Sequence, residues 1–444
     1  MAEKGKYLTS FLEIYIDTDE SLTKIDCLKP ELQGTYYHEY LHYIQDVTTC
    51  SGISKIWNSF DRFRQLVAYV QSPEMVDVQI PLEGDIIDEQ KASIEFFKEL
   101  RGSGQFSGVD PILADTYRIN NVEFQEDHRI ATYFPESNGK KVRLHLESKG
   151  LPDKVFTFGE AAISETMAYI LERKFFPELN ILPRYPYLVA YHLVEFLHSD
   201  LLNNEENLFA LCDVALMHNM PGWAFVEILK KLKTNKFVPK SGNEIIEFGY
   251  HFYEIKGWDF AAYMRTADKA LQHISEQLFR NQHFEPIKKL FQASIERGRL
   301  LRENSPFGIL DIYRGDIPLS YSFYKVFNFL GGPHSVNKIG HSFVRVPEGL
   351  ETMANVVYPQ HFRVIWQLNK LLIEGERSCS LYNMCKNMCT VTENKVLVDD
   401  RCEHNPWRRS EDEFGCPYAA HWVLYGFQEK DFYLNGVIVQ QRTK

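Results

Sequence analysis

Residues 30–50 read PELQGTYYHEYLHYIQDVTTC, with apolar and aromatic positions recurring at helical intervals. Leu32, Tyr36, Tyr40, Tyr43 and Val47 fall on one side of a helix expected over Glu31 to about Cys50. Pro30 suits its first turn, where a missing N–H costs nothing. Gly52 is expected to interrupt it before a second helix through about Val70. Just upstream, residues 8–17 (LTSFLEIYID) alternate apolar and polar side chains and read as one strand.

The same helix carries chemistry. His38 and His42 stand at i and i+4, one turn apart on one face. Their ring nitrogens can meet a single metal at about 2.0–2.1 Å. Glu39 projects beside that metal without ligating it, placed to take a proton from an activated water and pass it to a leaving amine. The spacing H-E-x-x-H on a helix therefore points to zinc-assisted hydrolysis of an amide. A catalytic zinc needs a third protein ligand. The extended motif would require Gly and His three and six residues after His42, where this chain has Gln45 and Thr48. That leaves a glutamate on a later helix, and the stretch GEAAISETMA (159–168) offers two. Glu165 is the first choice, because Ala161 and Ala168 flank it on one face and permit close approach of two helices. Glu172, two turns on, can orient a ligand histidine. Glu160 is the alternative, equally explained as a first-turn acid at a helix N-terminus.

HEYLH followed by a helix reading ISETMA resembles the gluzincin branch of zinc metallopeptidases, the group that includes thermolysin. The resemblance covers these two helices. It implies His38, His42 and Glu165 as zinc ligands and Glu39 as general base. More than 120 residues separate His42 from Glu165, a gap that implies a long insertion.

Further along, helices are expected at Phe158–Phe175, Leu188–His198, Glu206–His218, Gly222–Lys233, Asn243–Ile255, Phe260–Arg280 and Glu348 to about Glu374. Loops and short strands are expected at Pro73–Asp85 and Thr132–His145, and strands at Thr392–Val398 and Phe432–Gln440. The fold class is mostly α (α+β): a zincin-like catalytic unit over 1–180 with a long insertion, a helical region over 181–374, and a Cys-rich tail over 375–444 that can dock back onto the catalytic half.

The 444 residues hold 60 acidic and 49 Lys/Arg side chains, a net charge of −11 that argues against a nucleic-acid-binding surface. The first residues lack the apolar core of a secretory signal, and no run approaches the roughly 18 apolar residues of a membrane span. The expected setting is cytoplasmic, with no membrane partner. There, clustered cysteines are more readily metal ligands or free thiols than disulfides. Five of the eight cysteines (Cys379, Cys385, Cys389, Cys402 and Cys416) crowd into the tail as C-x5-C-x3-C-x12-C-x13-C. Four of them, with His404 or His421 as further donors, could hold a structural zinc or an iron–sulfur cluster. Buried small hydrophobes are the plainer explanation.

Other histidines have ordinary readings. His192 and His198 point about 120° apart on their helix. His128, His334 and His341 suit loops, the last two beside glycines.

The functional expectation is a zinc metallopeptidase acting on a protein or peptide, with residues 11–16 lining the cleft as a pairing strand. Two other classes stay open: a non-catalytic interaction or regulatory protein with a structural zinc and a protein partner, and a zinc hydrolase of a non-peptide amide or ester.

Overall fold

The computed structural model describes residues 4–103, 111–137, 139–178, 183–318, 320–353, 360–391, 398–412 and 416–442; for residues 111–112, 353 and 387–391 it describes the backbone alone. Of the described residues 62% are helical and about 12% strand, a mostly α fold with small sheets.

The N-terminal alternation yields two strands rather than one, Gly5–Leu8 and Glu13–Ile16, paired antiparallel. Between them Ser10 and Leu12 adopt φ of 71° and 53°, a conformation that ends the extended run. The turn is fixed from the helix: the Asp46 carboxylate accepts the Ser10 N–H at 2.9 Å. Glu13–Ile16 then pairs in parallel with His334–Asn337, which pairs with Ser342–Phe343, giving a four-stranded mixed sheet. The sheet under the N-terminal helix thus takes half its strands from the far side of the long helical region.

The motif helix spans Pro30–Thr48 and is buried on nearly every side from Tyr36 onward. Its tyrosines carry polar tips that find partners when buried. Tyr40 donates to the Gly331 carbonyl at 2.8 Å, Tyr43 to that of Leu330 at 3.2 Å, and Tyr36 meets Ser335 Oγ at 3.3 Å. The break to the second helix, Cys50–Gln71, falls at Thr49 and not at Gly52. Thr49 is extended (φ −117°, ψ 155°), and its hydroxyl accepts the Gly52 N–H, capping the new helix. Gly52 lies inside that helix because a Cβ there would come within 2.3 Å of the Gln45 carbonyl.

Between the motif helix and the helix Glu160–Phe175, the chain builds the helix Asp85–Arg101 and an antiparallel three-stranded sheet of Arg118–Glu126, Lys140–Glu147 and Lys154–Phe158. These strands are longer than the short ones expected there. The central helices fall close to expectation: Val189–His198, Glu205–Leu216, Pro221–Thr234, Gly242–Lys256 and Phe260–Leu278. Helix Glu285–Asn304 crosses the motif helix at Gly298, where a Cβ would sit 1.8 Å from the Val47 carbonyl oxygen. Of the helix expected over Glu348–Glu374, Gln360–Glu374 is helical, residues 348–353 are turn and 3-10 structure, and 354–359 lie outside the described residues, as do 392–397 of the expected strand Thr392–Val398. The last expected strand is a hairpin, Asp431–Leu434 and Val437–Gln440, turning at Asn435-Gly436 with φ of 48° and 78°. Asp431–Leu434 pairs in parallel with Asp77–Ile80, so the tail docks on the N-terminal half. No helix among the described residues is long and apolar enough to cross a membrane.

Candidate metal centre

The motif helix packs along helix Glu160–Phe175, and the alanines of the latter allow the approach. Glu165 faces both motif histidines: its Oε2 lies 3.2 Å from His38 Nε2 and 3.5 Å from His42 Nε2. One ligand atom from each of the three residues falls within 4.8 Å of the other two, and among the described residues no other group of His, Cys, Asp and Glu side chains meets that spacing.

The far nitrogens are held as well. Glu172 Oε2 lies 3.0 Å from His38 Nδ1, and Gln45 Oε1 lies 2.8 Å from His42 Nδ1. Each Nδ1 thus faces an outer acceptor and each Nε2 faces Glu165, so a metal that replaced the inner protons would meet an Nε2 lone pair from each ring. Gln45 also donates to the Ser164 carbonyl at 3.2 Å, tying its histidine to the partner helix. Gln45, whose place after His42 excludes the extended motif, is thus also the group that orients that histidine. Its signal was the i,i+3 spacing from His42.

Glu160 is not brought to the histidines. It accepts from Lys55 Nζ at 2.7 Å and from Ser164 Oγ at 2.9 Å, with Arg101 Nε at 3.4 Å. Five residues along a helix turn a side chain by about 140°, so Glu160 and Glu165 cannot share a target. Lys55 also binds Asp46 at 2.7 Å, and Lys55, Arg62 and Glu160 line a separate cavity of about 210 Å³.

Electrostatics follow the geometry. Burial acts to raise the Glu165 pKa, yet His42 and His38 hold it well below the ordinary carboxylate range. Burial likewise opposes protonation of His38, but hydrogen bonds to Glu165 and Glu172 push its pKa upward. Glu39 is raised, chiefly by burial, against the pull of His38 and His42 and a hydrogen bond from the Tyr7 backbone N–H.

That last contact places Glu39 against an edge of the sheet. The Asp17 N–H donates to the Lys4 carbonyl, which sets the antiparallel phase so that Tyr7 turns its backbone outward. Gly5–Leu8 is one edge strand of the sheet, and it runs past Glu39. Glu13–Ile16, expected to line the cleft, is paired on both sides and cannot accept another strand. Tyr7 also stacks on His42 and Tyr187 lies edge-on to His38, with ring centroids 6.5 and 6.0 Å apart; neither contact was foreseen.

The remaining histidines lie elsewhere. His334 Nδ1 is 2.9 Å from Glu13, which also binds Arg363 at 2.7 Å. His192 pairs with Glu195 at 3.0 Å, while His128 and His341 are exposed. In the tail, Cys379, Cys402 and Cys416 are buried, Cys385 is partly buried, and the Cys389 side chain lies outside the described residues. His404 is exposed, and His421 sits among Phe284, His361 and Tyr425.

Fold and site together define a class: a mostly α chain with a small mixed sheet whose N-terminal helix and a later helix assemble a His-His-Glu group spaced to hold one metal ion. No family model matches the chain, and neither the curated proteins nor the solved structures compared with it yield a match.

Proposed function

We propose that this chain is a zinc metallopeptidase of the gluzincin type, with His38, His42 and Glu165 as ligands and Glu39 as general base. The observation that carries the reading is the convergence of two Nε2 atoms and one carboxylate oxygen, with Glu39 next to the first ligand on the same helix. Two imidazoles whose outer N–H groups are held by Glu172 and Gln45, plus one ionised carboxylate, are a donor set that suits zinc and leaves a fourth position open. Zinc bound there would supply a Lewis acid for the scissile carbonyl and make water a stronger acid.

The chain's own groups do the rest. Glu39, its pKa raised by burial, takes the proton from the attacking water and returns it to the departing amine nitrogen. The Tyr7 N–H holds the Glu39 carboxylate in place. The edge strand Gly5–Leu8 runs beside Glu39, which takes its Tyr7 N–H, and its remaining outward backbone groups would pair with an extended peptide, which favours a peptide or unfolded protein segment over a compact amide. We place the activity in the cytoplasm, where clustered thiols stay reduced.

The test is purified protein with measured zinc content, challenged with a mixed peptide library. Wild type should carry zinc and cleave. Glu39→Gln should keep the zinc and lose turnover by about 10²–10⁴-fold, the usual contribution of a positioned acid–base group. Equal cleavage by the variant would sink the assignment.

A further inference from the structure

The second helix, Cys50–Gln71, carries polar side chains in one stripe. Ser51, Ser54, Lys55, Asn58, Ser59 and Arg62 recur at three- and four-residue intervals and so share a face. Such a stripe ordinarily looks into bulk water. Here all six residues line the cavity of about 210 Å³ that also holds Glu160. The helix Asp85–Arg101 supplies Ile94, Phe97 and Leu100 to the same cavity, and Phe134 and Pro221 add further apolar surface.

The charges lining this cavity do not balance. Among the described residues Lys55, Arg62, Lys98 and Arg101 bring four cations, and Glu160 is the one acid. The chain as a whole is acidic, so composition does not explain the local excess. Glu160 is already shared, with Oε1 2.7 Å from Lys55 Nζ and Oε2 3.4 Å from Arg101 Nε. Lys55 is paired a second time by Asp46 at 2.7 Å, and Lys98 pairs with Glu95 at 2.7 Å. Arg62 is left over. Its Nε donates to the Asn58 carbonyl, one turn back on its own helix, at 3.3 Å. Its Nη1 is shielded from water with no hydrogen-bond partner, and no carboxylate among the described residues pairs with it. A guanidinium stays charged at any physiological pH, so half-burying it without an anion costs free energy.

The lining names the class of occupant. The planar fork of an arginine matches two oxygens of a carboxylate or phosphate, and Ser59, one turn before Arg62, adds a hydroxyl donor on the same face. Phe97, Leu100 and Ile94 suit an apolar body. The volume falls below the roughly 300–1,000 Å³ of pockets that take drug-sized molecules, so the occupant is small. We propose that this cavity binds a small organic anion, its carboxylate or phosphate head on Arg62 and an apolar body of about one aromatic ring against Phe97 and Leu100. The site is separate from the metal triad and does not rest on the peptidase reading.

Isothermal titration calorimetry of the full chain with phenylacetate and with phenyl phosphate tests this. At least one should bind at one site per chain, and the tighter of the two identifies the head. Acetate and inorganic phosphate carry the head alone and should bind about tenfold more weakly or worse, since they bury no ring. Arg62→Met should weaken the tighter probe by about 10–100-fold, the range for a hydrogen-bonded charged partner. Arg64→Gln, two residues on and paired with Asp61, should bind as wild type does. Should Arg62→Met fail to fold, Phe97→Ser is the second arm, expected to weaken the aromatic probe about tenfold. Glu165→Ala should bind the probe unchanged, so a failure of the triad and a failure of this site are told apart. No saturable binding of either aromatic anion overturns the proposal. Equal affinity in wild type and Arg62→Met, or in wild type and Phe97→Ser, overturns it too, as does equal affinity for the head alone.

Discussion

The metal triad and the Cys-rich C-terminal region treat their buried polar groups in opposite ways. Around His38 and His42 the chain supplies every partner itself: Glu172 and Gln45 hold the outer nitrogens, and the inner ones meet Glu165. In the C-terminal region the Tyr418 hydroxyl and the indole N–H groups of Trp407 and Trp422 are buried with no hydrogen-bond partner among the described residues. The triad is built on two helices of 19 and 16 residues packed side by side, whereas Cys385, Cys402 and Cys416 lie in or at the start of elements of four to ten residues. A site on long packed helices is pre-organised before any ligand arrives. One collected from short turns lacks that frame.

The largest effects should come from removing a triad member. Glu165→Ala is expected to abolish stoichiometric zinc binding, and Glu172→Ala to weaken zinc affinity by about 10–100-fold, the usual cost of losing a group that orients a ligand. Glu160→Gln, by contrast, should leave zinc affinity unchanged, since that side chain is committed to Lys55 and Ser164. Competition with a chromogenic chelator measures all three. Zinc loss in Glu160→Gln with retention in Glu165→Ala would reverse the assignment of the third ligand.

Next in size is the frame that holds the motif helix. Arg302, 1% exposed, binds both oxygens of Asp213 at 2.6 and 2.7 Å. Its Nε donates to the Thr48 carbonyl at 3.0 Å, placing a cation at the C-terminus of the motif helix, where the helix dipole favours one. Asp213→Ala leaves that guanidinium buried and unpaired and should cost about 3–5 kcal/mol in denaturant unfolding. If the triad is pre-organised as argued, the folded fraction of the variant should still bind zinc with wild-type stoichiometry.

The contrast also explains what could be read in the sequence. His38, His42 and Glu39 follow from the 3.6-residue period alone, because one helix fixes their relative directions. Glu165 was reachable because small residues mark the face on which two helices meet. Tyr7 and the edge strand were not, since the turn at Ser10 depends on Asp46, 36 residues later. Nor was the parallel strand His334–Asn337, whose pairing with Glu13–Ile16 spans most of the chain. The break at Thr49 was misplaced at Gly52 because glycine marks both a helix stop and a close backbone approach, and only the packing against Gln45 tells them apart. The C-terminal cysteines were legible as clustering and not as geometry, because no regular period relates them.

The smallest expected effect is acid sensitivity, and it too should divide the molecule. His361 and His421 sit 4.9 Å apart in the aromatic shell of the C-terminal region, and burial depresses both, His361 to about 4 from an ordinary 6.5. In the unfolded chain each takes up a proton near its ordinary value; in the folded chain His361 does so only near 4. Between those limits the unfolded state binds more protons, so stability is complete above 6.5 and falls as pH drops, by at most about 1.4 kcal/mol per pH unit for each histidine. His38 and His42 are displaced upward by their carboxylates and add no such loss, while Glu165, held low, adds one only below its ordinary 4.5. Hydrogen exchange followed from pH 7 to about pH 4 should therefore show the helix Pro417–Leu424 losing protection before the motif helix does. His361→Phe, which keeps a ring in the shell and removes one titrating group, should make that loss shallower. A simultaneous loss in both helices, unchanged by His361→Phe, would mean that the two regions respond to acid as one unit.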